Sequence, residues 1–264
     1  MAGSLPEGFL FTQTALRTYQ ECPYRFRLRY LERIPWPAFP AAPEVEAALE
    51  RGRRFHDLAR QRFLGLEVGD QAAACGEEVA RWWAALEASP PALEGYPHRF
   101  PEAGLSIPFG RYRLAARYDL LAVGEGCACI VDWKTGRPLP AEKVLAQDLQ
   151  TRVYLFVLAE GGAAYHQGRP LPPERLSLLY WHPAGPTSVR LSYGPERQEE
   201  DRACLADLVA RISACPAEEM LPVPDEAACR GCAYAPLCGR PGARSEDWEE
   251  DFSPEEEGEE AFPD

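Results

Sequence analysis

A run of four residues, Val131-Asp132-Trp133-Lys134, places an acidic and a basic side chain at the end of a predicted buried strand. Side chains alternate along a strand, so Asp132 and Lys134 are expected on one side and Trp133 on the other. Burying charged groups directly after apolar residues is costly unless they serve a site. The alternative is an ion pair at the surface, where the strand ends.

A second carboxylate lies on the preceding predicted strand. Asp119 is expected on the face opposite Tyr118 and Leu120, because the apolar residues of that strand alternate. The tight-turn sequence Gly124-Glu125-Gly126 predicts a hairpin that brings Asp119 close to Asp132. Two carboxylates beside a lysine are typical of a site for a hard divalent cation.

Three further polar residues lie on predicted helices. His56 belongs to a helix predicted over 44–64, on the same stripe as apolar residues, where a histidine is either a metal ligand or an ordinary core residue. Gln150 and Tyr154 are four residues apart in a helix predicted over 140–160 and therefore share a face. Taken alone, that face is more typical of an ordinary amphipathic helix surface.

Nine cysteines are present, and the protein is expected to be cytoplasmic, where disulfides are uncommon. Cys229, Cys232 and Cys238 follow one another closely in a predicted loop, while Cys22 lies at the break between two predicted N-terminal helices. Four thiolates suit either Zn²⁺ or an iron–sulfur cluster. The spacing alone leaves both alternatives open.

Hydrophobic periodicity predicts the elements that position these residues. The predicted helices cover residues 14–22, 23–31, 44–64, 71–88, 140–160 and 196–214. The predicted strands begin near Leu105 and cover 111–123, 127–133, 176–181 and 188–193, with 90–102 mostly loop. This order predicts an α/β (α+β) fold, in which helices flank a central mixed β-sheet.

Composition and charge restrict the classes of protein. The 264 residues contain no apolar run of about 18 residues, and the N-terminus lacks a signal-peptide pattern, so we expect no membrane span and a cytoplasmic location. Eleven acidic residues in 245–264 account for most of the net charge of −13. We therefore expect one domain over 1–244, followed by an acidic disordered tail over 245–264.

Basic residues are almost all arginine, and Lys134 is one of only two lysines in the chain. A lysine retained in this background indicates a role that arginine, which stays protonated, cannot fill. The arginines form a candidate phosphate-binding stripe, with solvated helix faces as the alternative. The stripe comprises Arg17, Arg25, Arg27, Arg29, Arg33, Arg51, Arg53, Arg54, Arg60 and Arg62.

Read in order, four motifs closely resemble the RecB-like branch of the PD-(D/E)XK nuclease superfamily. They are Gly-x3-His ending at His56, Tyr-Asp-Leu-Leu around Asp119, Val-Asp-Trp-Lys-Thr-Gly around Asp132, and Gln-x3-Tyr at Gln150 and Tyr154. The resemblance extends from about Thr12 to Arg240. It implies a restriction-endonuclease-like core. The ordered set is specific, whereas an isolated Asp-x-Lys is not.

The resemblance also implies roles for these residues. His56, Asp119 and Asp132 would bind Mg²⁺ or Mn²⁺, helped by the Trp133 carbonyl. Lys134 would position or activate the attacking water and stabilise developing charge. Gln150 and Tyr154 would order the site or touch the nucleic-acid strand. Many relatives have Glu where Asp132 stands, and the shorter side chain puts the metal preference in doubt.

An N-terminal cysteine combined with a C-terminal cysteine triplet is similar to the iron–sulfur subset of this family, which includes AddB-type helicase–nuclease subunits and CRISPR-adaptation exonucleases. This similarity implies a 4Fe-4S cluster on Cys22, Cys229, Cys232 and Cys238 that joins the N- and C-terminal segments. Its expected role is structural, because closing so long a loop restricts the unfolded chain.

The resemblance implies a DNA exonuclease that acts on single-stranded ends in DNA repair, recombination or CRISPR adaptation. The sequence lacks a Gly-x4-Gly-Lys-Ser/Thr phosphate loop, so any unwinding would come from a helicase partner, and a CRISPR-adaptation protein is the other expected partner. One alternative is a non-catalytic subunit that binds DNA ends or acts as a scaffold. Another is a redox protein, which would leave Asp119, Asp132 and Lys134 unexplained.

Overall fold

A mixed β-sheet organises the chain in a computed structural model that describes residues 5–35, 43–136, 138–183, 188–225, 229, 232 and 234–240. Within these residues the sheet has six strands: β1 (Leu10–Phe11), β2 (His98–Phe109), β3 (Tyr112–Gly124), β4 (Cys127–Trp133), β5 (Leu176–Trp181) and β6 (Ser188–Ser192). The helices are α1 (Gln13–Glu21), α2 (Pro23–Phe26), α3 (Pro43–Phe63), α4 (Gly69–Ala74), α5 (Glu77–Ala88), α6 (Glu142–Gln147), α7 (Leu149–Gly161) and α8 (Pro195–Ala214).

Strand β3 is the centre of the sheet. β2 pairs with it antiparallel along most of its length. On its other edge, β1 pairs with the start of β3 in parallel and β4 pairs with the end of β3 antiparallel. β5 then adds to β4 in parallel, and β6 adds to β5 antiparallel. The predicted central mixed sheet flanked by helices is confirmed.

Helices cover both faces of the sheet, because each face is apolar and must be removed from water. α1, α7 and α8 pack on one face in the first core cluster, which includes Leu16, Leu114, Tyr118, Val153 and Leu208. α3, α4 and α5 pack on the other face in the second core cluster, which includes Phe55, Ala72, Trp83, Leu120 and Trp133. Among the described helices, none is long and apolar enough to cross a membrane.

The face alternation of β3 changes phase at Asp119, which corrects the sequence prediction. Tyr118 lies in the first core cluster as expected, but Leu120 lies in the second and Leu121 returns to the first. Leu120 therefore does not share a face with Tyr118. Because of this phase change, Asp119 lies where the alternation of side chains between the two faces of β3 is interrupted, at the level of the candidate site.

Strand β2 changes phase at the same level. It begins at His98, earlier than predicted, so part of the expected loop 90–102 is strand. Ala103 belongs to the first core cluster and Phe100 packs against that cluster too, although the two residues are an odd number of positions, three, apart. Between them Glu102 has a φ of +53°, a left-handed conformation that few residues other than glycine adopt.

Two predicted helices are each divided in the structure. The helix predicted over 71–88 is replaced by α4 and α5, because Gly76 takes a φ of +100° between them. The helix predicted over 140–160 is divided at Asp148, whose backbone is extended and whose side chain accepts a hydrogen bond from the Gln150 N–H. Asp148 thus caps α7 and sets the position of its first turn.

We predict that Gly124→Ala destabilises the fold by about 1–3 kcal/mol, the usual cost of overpacking. A Cβ atom at Gly124 would lie 2.3 Å from the carbonyl oxygen of Gly95 and 2.8 Å from Cys127 Sγ. The measurement is the urea midpoint of unfolding. Gly69→Ala is the matched control, because Gly69 lies in helix α4 and its Cβ would meet nothing within 4 Å. Equal midpoints for both variants would contradict the prediction.

Candidate active site

The site forms where β3 and β4 separate. Their ladder ends with Leu120 opposite Val131, so the next position along the same register pairs Asp119 with Asp132. Instead of continuing the backbone ladder, the Trp133 N–H donates a 2.7 Å hydrogen bond to Asp119 Oδ2. The predicted hairpin therefore brings the two carboxylates to neighbouring positions on adjacent strands.

Asp132 and Lys134 face helix α7, while the Trp133 ring lies on the other side of the sheet, as the period-two argument predicts. Lys134 Nζ is 3.1 Å from Asp132 Oδ2. Gln150 contacts both, since its Nε2 donates to Asp132 Oδ1 at 3.1 Å and its Oε1 accepts from Lys134 Nζ at 2.9 Å. Gln150 is thus the hydrogen-bonded link between the acid and the amine.

Helix α7 holds Gln150 in this position through its N-terminal cap. Asp148 accepts from the Gln150 N–H at 2.7 Å. The same carboxylate binds Arg17 of helix α1, with distances of 2.8 and 3.0 Å from Arg17 Nη2 to its two oxygens. Because α1 and α7 are fixed to each other at this point, the first turn of α7 has a defined position relative to β4.

His56 approaches from the opposite layer, on helix α3. Its Nδ1 is 3.3 Å from Asp119 Oδ1, and both side chains are about 5–6 % exposed. Burial lowers the pKa of His56, but the carboxylates of Asp119, Asp132 and Glu102 outweigh this effect and raise the pKa above its usual value. The imidazole therefore lies in a strongly negative environment, which favours a bound cation.

Glu102 is an acidic residue at the site that the sequence analysis missed. Its carboxylate is 3.3 Å from Arg117 Nε. The pKa of Glu102 is raised to about 7, mainly by burial and then by the negative charge of Asp119, while Arg117 and His56 act in the opposite direction. The sequence signal for Glu102 is the run of alternating apolar residues that directly follows it, which is typical of a strand. The sequence analysis instead predicts a loop over 90–102.

Tyr154 is placed deeper than Gln150. Its ring is 1 % exposed and packs edge to face on Tyr118, with ring centroids 5.3 Å apart, and its carbonyl accepts from the Tyr118 hydroxyl at 3.1 Å. Of the two roles that the sequence resemblance implies, this burial suits ordering of the site rather than contact with a nucleic-acid strand. Trp133 is also buried, and its ring stacks on Phe63.

The donor set suits a hard divalent cation, which prefers carboxylate oxygen with imidazole or carbonyl ligands. As they stand, the acids are engaged in ion pairs, Asp119 with His56 and Asp132 with Lys134. Accordingly, no group of three or more His, Cys, Asp or Glu side chains in the described ranges has the geometry of a metal site. A bound cation would have to replace these pairs.

Most of the arginines in the candidate stripe pair with acidic neighbours. Arg17, Arg25, Arg27, Arg51, Arg53, Arg54, Arg60 and Arg62 each lie within ion-pair distance of a carboxylate. Exposed pairs of this kind contribute little stability. They also reduce the net positive charge that the stripe presents, which agrees better with solvated helix faces than with a continuous phosphate track.

The four cysteines singled out by the sequence lie near one another. Burial raises the pKa of the Cys238 thiol, and the neighbouring thiols of Cys22, Cys232 and Cys229 raise it further. Arg240 Nη1 donates to Cys229 Sγ at 2.9 Å. Thiols from both ends of the chain therefore lie in one region. Within the described part of the chain they are not arranged as a group of three or more that could hold a metal.

Packing fixes these two ends to each other. A third core cluster, formed by Leu28, Cys232, Tyr234 and Ala235, joins the segment after α2 to the C-terminal segment. The Tyr234 hydroxyl donates to the carbonyl of Ile34 at 3.1 Å. The acidic tail predicted over 245–264 lies outside the described residues.

Comparison with known proteins identifies the class of protein. The family model of the PD-(D/E)XK nuclease superfamily matches residues 10–239, so the chain belongs to this superfamily. The superfamily assignment made from the four motifs is confirmed. Among curated proteins, none matches the chain.

Two solved structures match the chain. One is the crystal structure of a protein named "Putative exonuclease" from Eubacterium rectale, with a TM-score of 0.54 and 11 % identity, covering 83 % of this chain and 85 % of that one. The other is the crystal structure of SSO0001, with a TM-score of 0.42 and 15 % identity, covering 88 % of this chain and 87 % of that one. At such identity the first shows a shared fold alone.

We predict that Mn²⁺ stabilises the protein through the two carboxylates. A free concentration about 100 times the dissociation constant should add about 2.7 kcal/mol to the free energy of unfolding. Asp132→Asn should abolish most of this gain, because an amide is a poorer ligand for a hard cation. The readout is the thermal midpoint with Mn²⁺ or with EDTA.

Asp57→Asn is the control for this experiment, since Asp57 is an exposed acid beside His56 on α3. It should keep the full Mn²⁺ effect. If Asp132→Asn and Asp57→Asn respond to Mn²⁺ as the parent protein does, the assignment of the metal to this site is wrong.

Proposed function

We propose that this protein is a metal-dependent DNA nuclease, and specifically an exonuclease that digests single-stranded ends. The observation that supports it most is the meeting of His56, Asp119, Asp132 and Lys134 where β3 and β4 separate. Superfamily membership supports nuclease chemistry. The structural neighbour named "Putative exonuclease" agrees with the exonucleolytic part.

In this proposal His56, Asp119, Asp132 and the Trp133 carbonyl would hold Mg²⁺ or Mn²⁺. When bound, the cation supplies Lewis acidity that polarises the scissile phosphate and lowers the pKa of a water molecule. The hydrogen bond from the Trp133 N–H orients the Asp119 carboxylate for this role. The carboxylates are buried in the apolar surroundings of both core clusters, where their attraction for a cation is less screened than in water.

In this proposal, Lys134 is the residue that donates hydrogen bonds to the reacting groups and stabilises negative charge. Its ammonium group would donate to the attacking water or to a phosphate oxygen and so stabilise the charge that develops there. Gln150 holds that ammonium at 2.9 Å and Asp132 lies 3.1 Å from it, so its position is defined before a substrate arrives. Such preorganisation reduces the cost of arranging the site during reaction.

The four cysteines form the second part of the proposal. Cys22, Cys229, Cys232 and Cys238 would ligate a 4Fe-4S cluster that joins the two ends of one nuclease domain over 1–244. The proximity of the four thiols and the third core cluster support this arrangement. The role is structural, because a link between the ends restricts the unfolded chain as a disulfide does.

The biological setting belongs to the same proposal. A cytoplasmic nuclease of this kind would act on DNA in repair, recombination or CRISPR adaptation, beside a helicase or a CRISPR-adaptation protein. The non-catalytic alternative, a subunit that binds DNA ends, makes the opposite prediction for the assay below.

We predict that Lys134→Met abolishes cleavage of labelled single-stranded DNA in Mn²⁺, with a loss of at least about 100-fold, the low end for removing a general acid or base. Lys143→Met is the matched control, because Lys143 is the other lysine of the chain and is exposed on α6. That variant should retain the parent rate. Cleavage by the parent protein should also stop in EDTA.

The result against the proposal would be equal cleavage by both lysine variants, or no metal-dependent cleavage by the parent protein. The second result would favour the non-catalytic alternative if DNA binding persisted. Circular dichroism of each variant distinguishes a lost activity from a lost fold.

We also predict that the anaerobically purified protein absorbs near 400 nm and that Cys232→Ser removes this band. Cys204→Ser should retain it, because Cys204 is an exposed residue of α8 and is not one of the four proposed ligands. Metal analysis should give about four iron atoms per chain, the content of one 4Fe-4S cluster. A colourless protein that contains zinc would show that the thiols serve a different centre.

A further inference from the structure

A small cavity lies beside the candidate active site, between the N-terminal half of α3 and helix α5. Its volume is about 120 Å³. We call it the α3–α5 pocket, and the residues that define it are Arg51, Gly52, Glu78, Trp82, Thr135 and Gly136. Pockets that enclose whole small molecules usually measure about 300–1,000 Å³, so this one suits a single planar group.

Two parts of the pocket lining lie close along the chain to residues of the candidate active site. Thr135 and Gly136 directly follow Lys134 in the chain. Gly52 lies four residues before His56 on α3, which is about 6 Å along a helix axis. Adjacent nucleotides in a stacked strand are about 3.4 Å apart. A strand whose scissile phosphate lies at the metal site would therefore bring a neighbouring nucleotide, one or two positions away, to this pocket.

The chemistry of the walls favours a base over a phosphate. Arg51 Nε is 2.7 Å from Glu78 Oε2, so the two charged groups of the pocket largely neutralise each other. A phosphate would meet the Glu78 carboxylate as a like charge. A base edge presents both acceptors and donors, which a guanidinium and a carboxylate can satisfy side by side.

Trp82 supplies the remaining requirement, an aromatic surface. It lies one helical turn after Glu78 on α5, so both side chains share a face of the helix. Its ring is held edge to face by Phe55, with centroids 6.0 Å apart, and Phe55 is fully buried. Aromatic rings fixed in this way are the usual stacking platforms for bases of single-stranded nucleic acids.

We propose that the α3–α5 pocket binds one nucleobase of the DNA strand next to the scissile phosphate, with Trp82 stacking on the base and the Arg51–Glu78 pair hydrogen bonding to its edge. This inference rests on the proposed nuclease function and adds a base-recognition subsite to it. The subsite would make cleavage sensitive to the presence of a base at one position of the strand.

The test measures binding, so that it does not depend on cleavage. Lys134→Met protein in Mn²⁺ is titrated with short single-stranded oligonucleotides that each contain one abasic site at a successive position, and dissociation constants are read by fluorescence anisotropy. We expect one position at which removing the base weakens binding about tenfold, within the range that loss of one stacked base produces. Neighbouring positions should show smaller effects.

Substitutions in the pocket test whether the base at that position of the strand binds there. In Trp82→Leu combined with Lys134→Met, the abasic penalty at that position should fall to less than about twofold, because the stacking contact is already lost. In Glu78→Gln combined with Lys134→Met, the penalty should fall in part, because the hydrogen bonds to the base edge are weakened while Trp82 still stacks. Trp82→Phe should keep part of the penalty, since a smaller ring still stacks. Glu77→Gln is the matched control, because Glu77 is an exposed neighbour on the same helix, and it should keep the whole penalty.

The proposal is overturned if no position shows a penalty, or if Glu78→Gln and Glu77→Gln retain the same penalty. Thermal unfolding identifies any variant that fails to fold, and Glu78→Gln, whose side chain is 40 % exposed, provides the result if Trp82→Leu does not. Failure of the nuclease proposal is recognised separately, as absence of cleavage by the parent protein, and leaves this binding series interpretable.

Discussion

The hydrogen bond from the Trp133 N–H to Asp119 is the interaction on which the rest of the site depends. At this level the ladder between β3 and β4 ends, and a buried amide would otherwise lack a backbone acceptor. The Asp119 carboxylate accepts the hydrogen bond from this amide in place of a backbone carbonyl. The point where the strands separate is therefore also the point where an acidic side chain is held. Asp132, at the next pairing position, is brought beside Asp119 by the register alone.

The two helical layers complete the site from opposite faces of the sheet. α3 contributes His56 through the second core cluster, and α7 contributes Gln150 through the first. Each buried charged group of the site has an ion-pair or hydrogen-bond partner, because an uncompensated buried charge costs about 3–5 kcal/mol. The ion pairs of Asp119 with His56 and of Asp132 with Lys134 supply these partners. The left-handed backbone conformation of Glu102 indicates strain at this level of the sheet. Strained residues of this kind are common at functional sites.

The ends of the chain are joined at some distance from this chemistry. The third core cluster brings the C-terminal segment onto the segment after α2, although about 200 residues separate them. Bringing segments so far apart together costs loop-closure entropy when the chain folds, and this cost grows only slowly with loop length. The layer that includes α1 is therefore fixed both by this closure and by the contact of Arg17 with Asp148, which in turn caps the helix that presents Gln150.

Local patterns account for the local features of this protein. The hairpin, the opposite facing of Asp132 and Trp133 and the mixed sheet between helices follow from residue spacing, because period-two and helical patterns are local properties. The grouping of His56 with two carboxylates and a lysine is implied by the resemblance of the ordered motifs to the family. Tertiary structure decided what depends on packing between distant segments. The phase change at Asp119, the division of α6 from α7 at Asp148, and the presence of Glu102 at the site had no clear local signal. Each arises where strands or helices from different parts of the chain meet, and contacts of that kind set the final positions of side chains that spacing alone leaves undetermined.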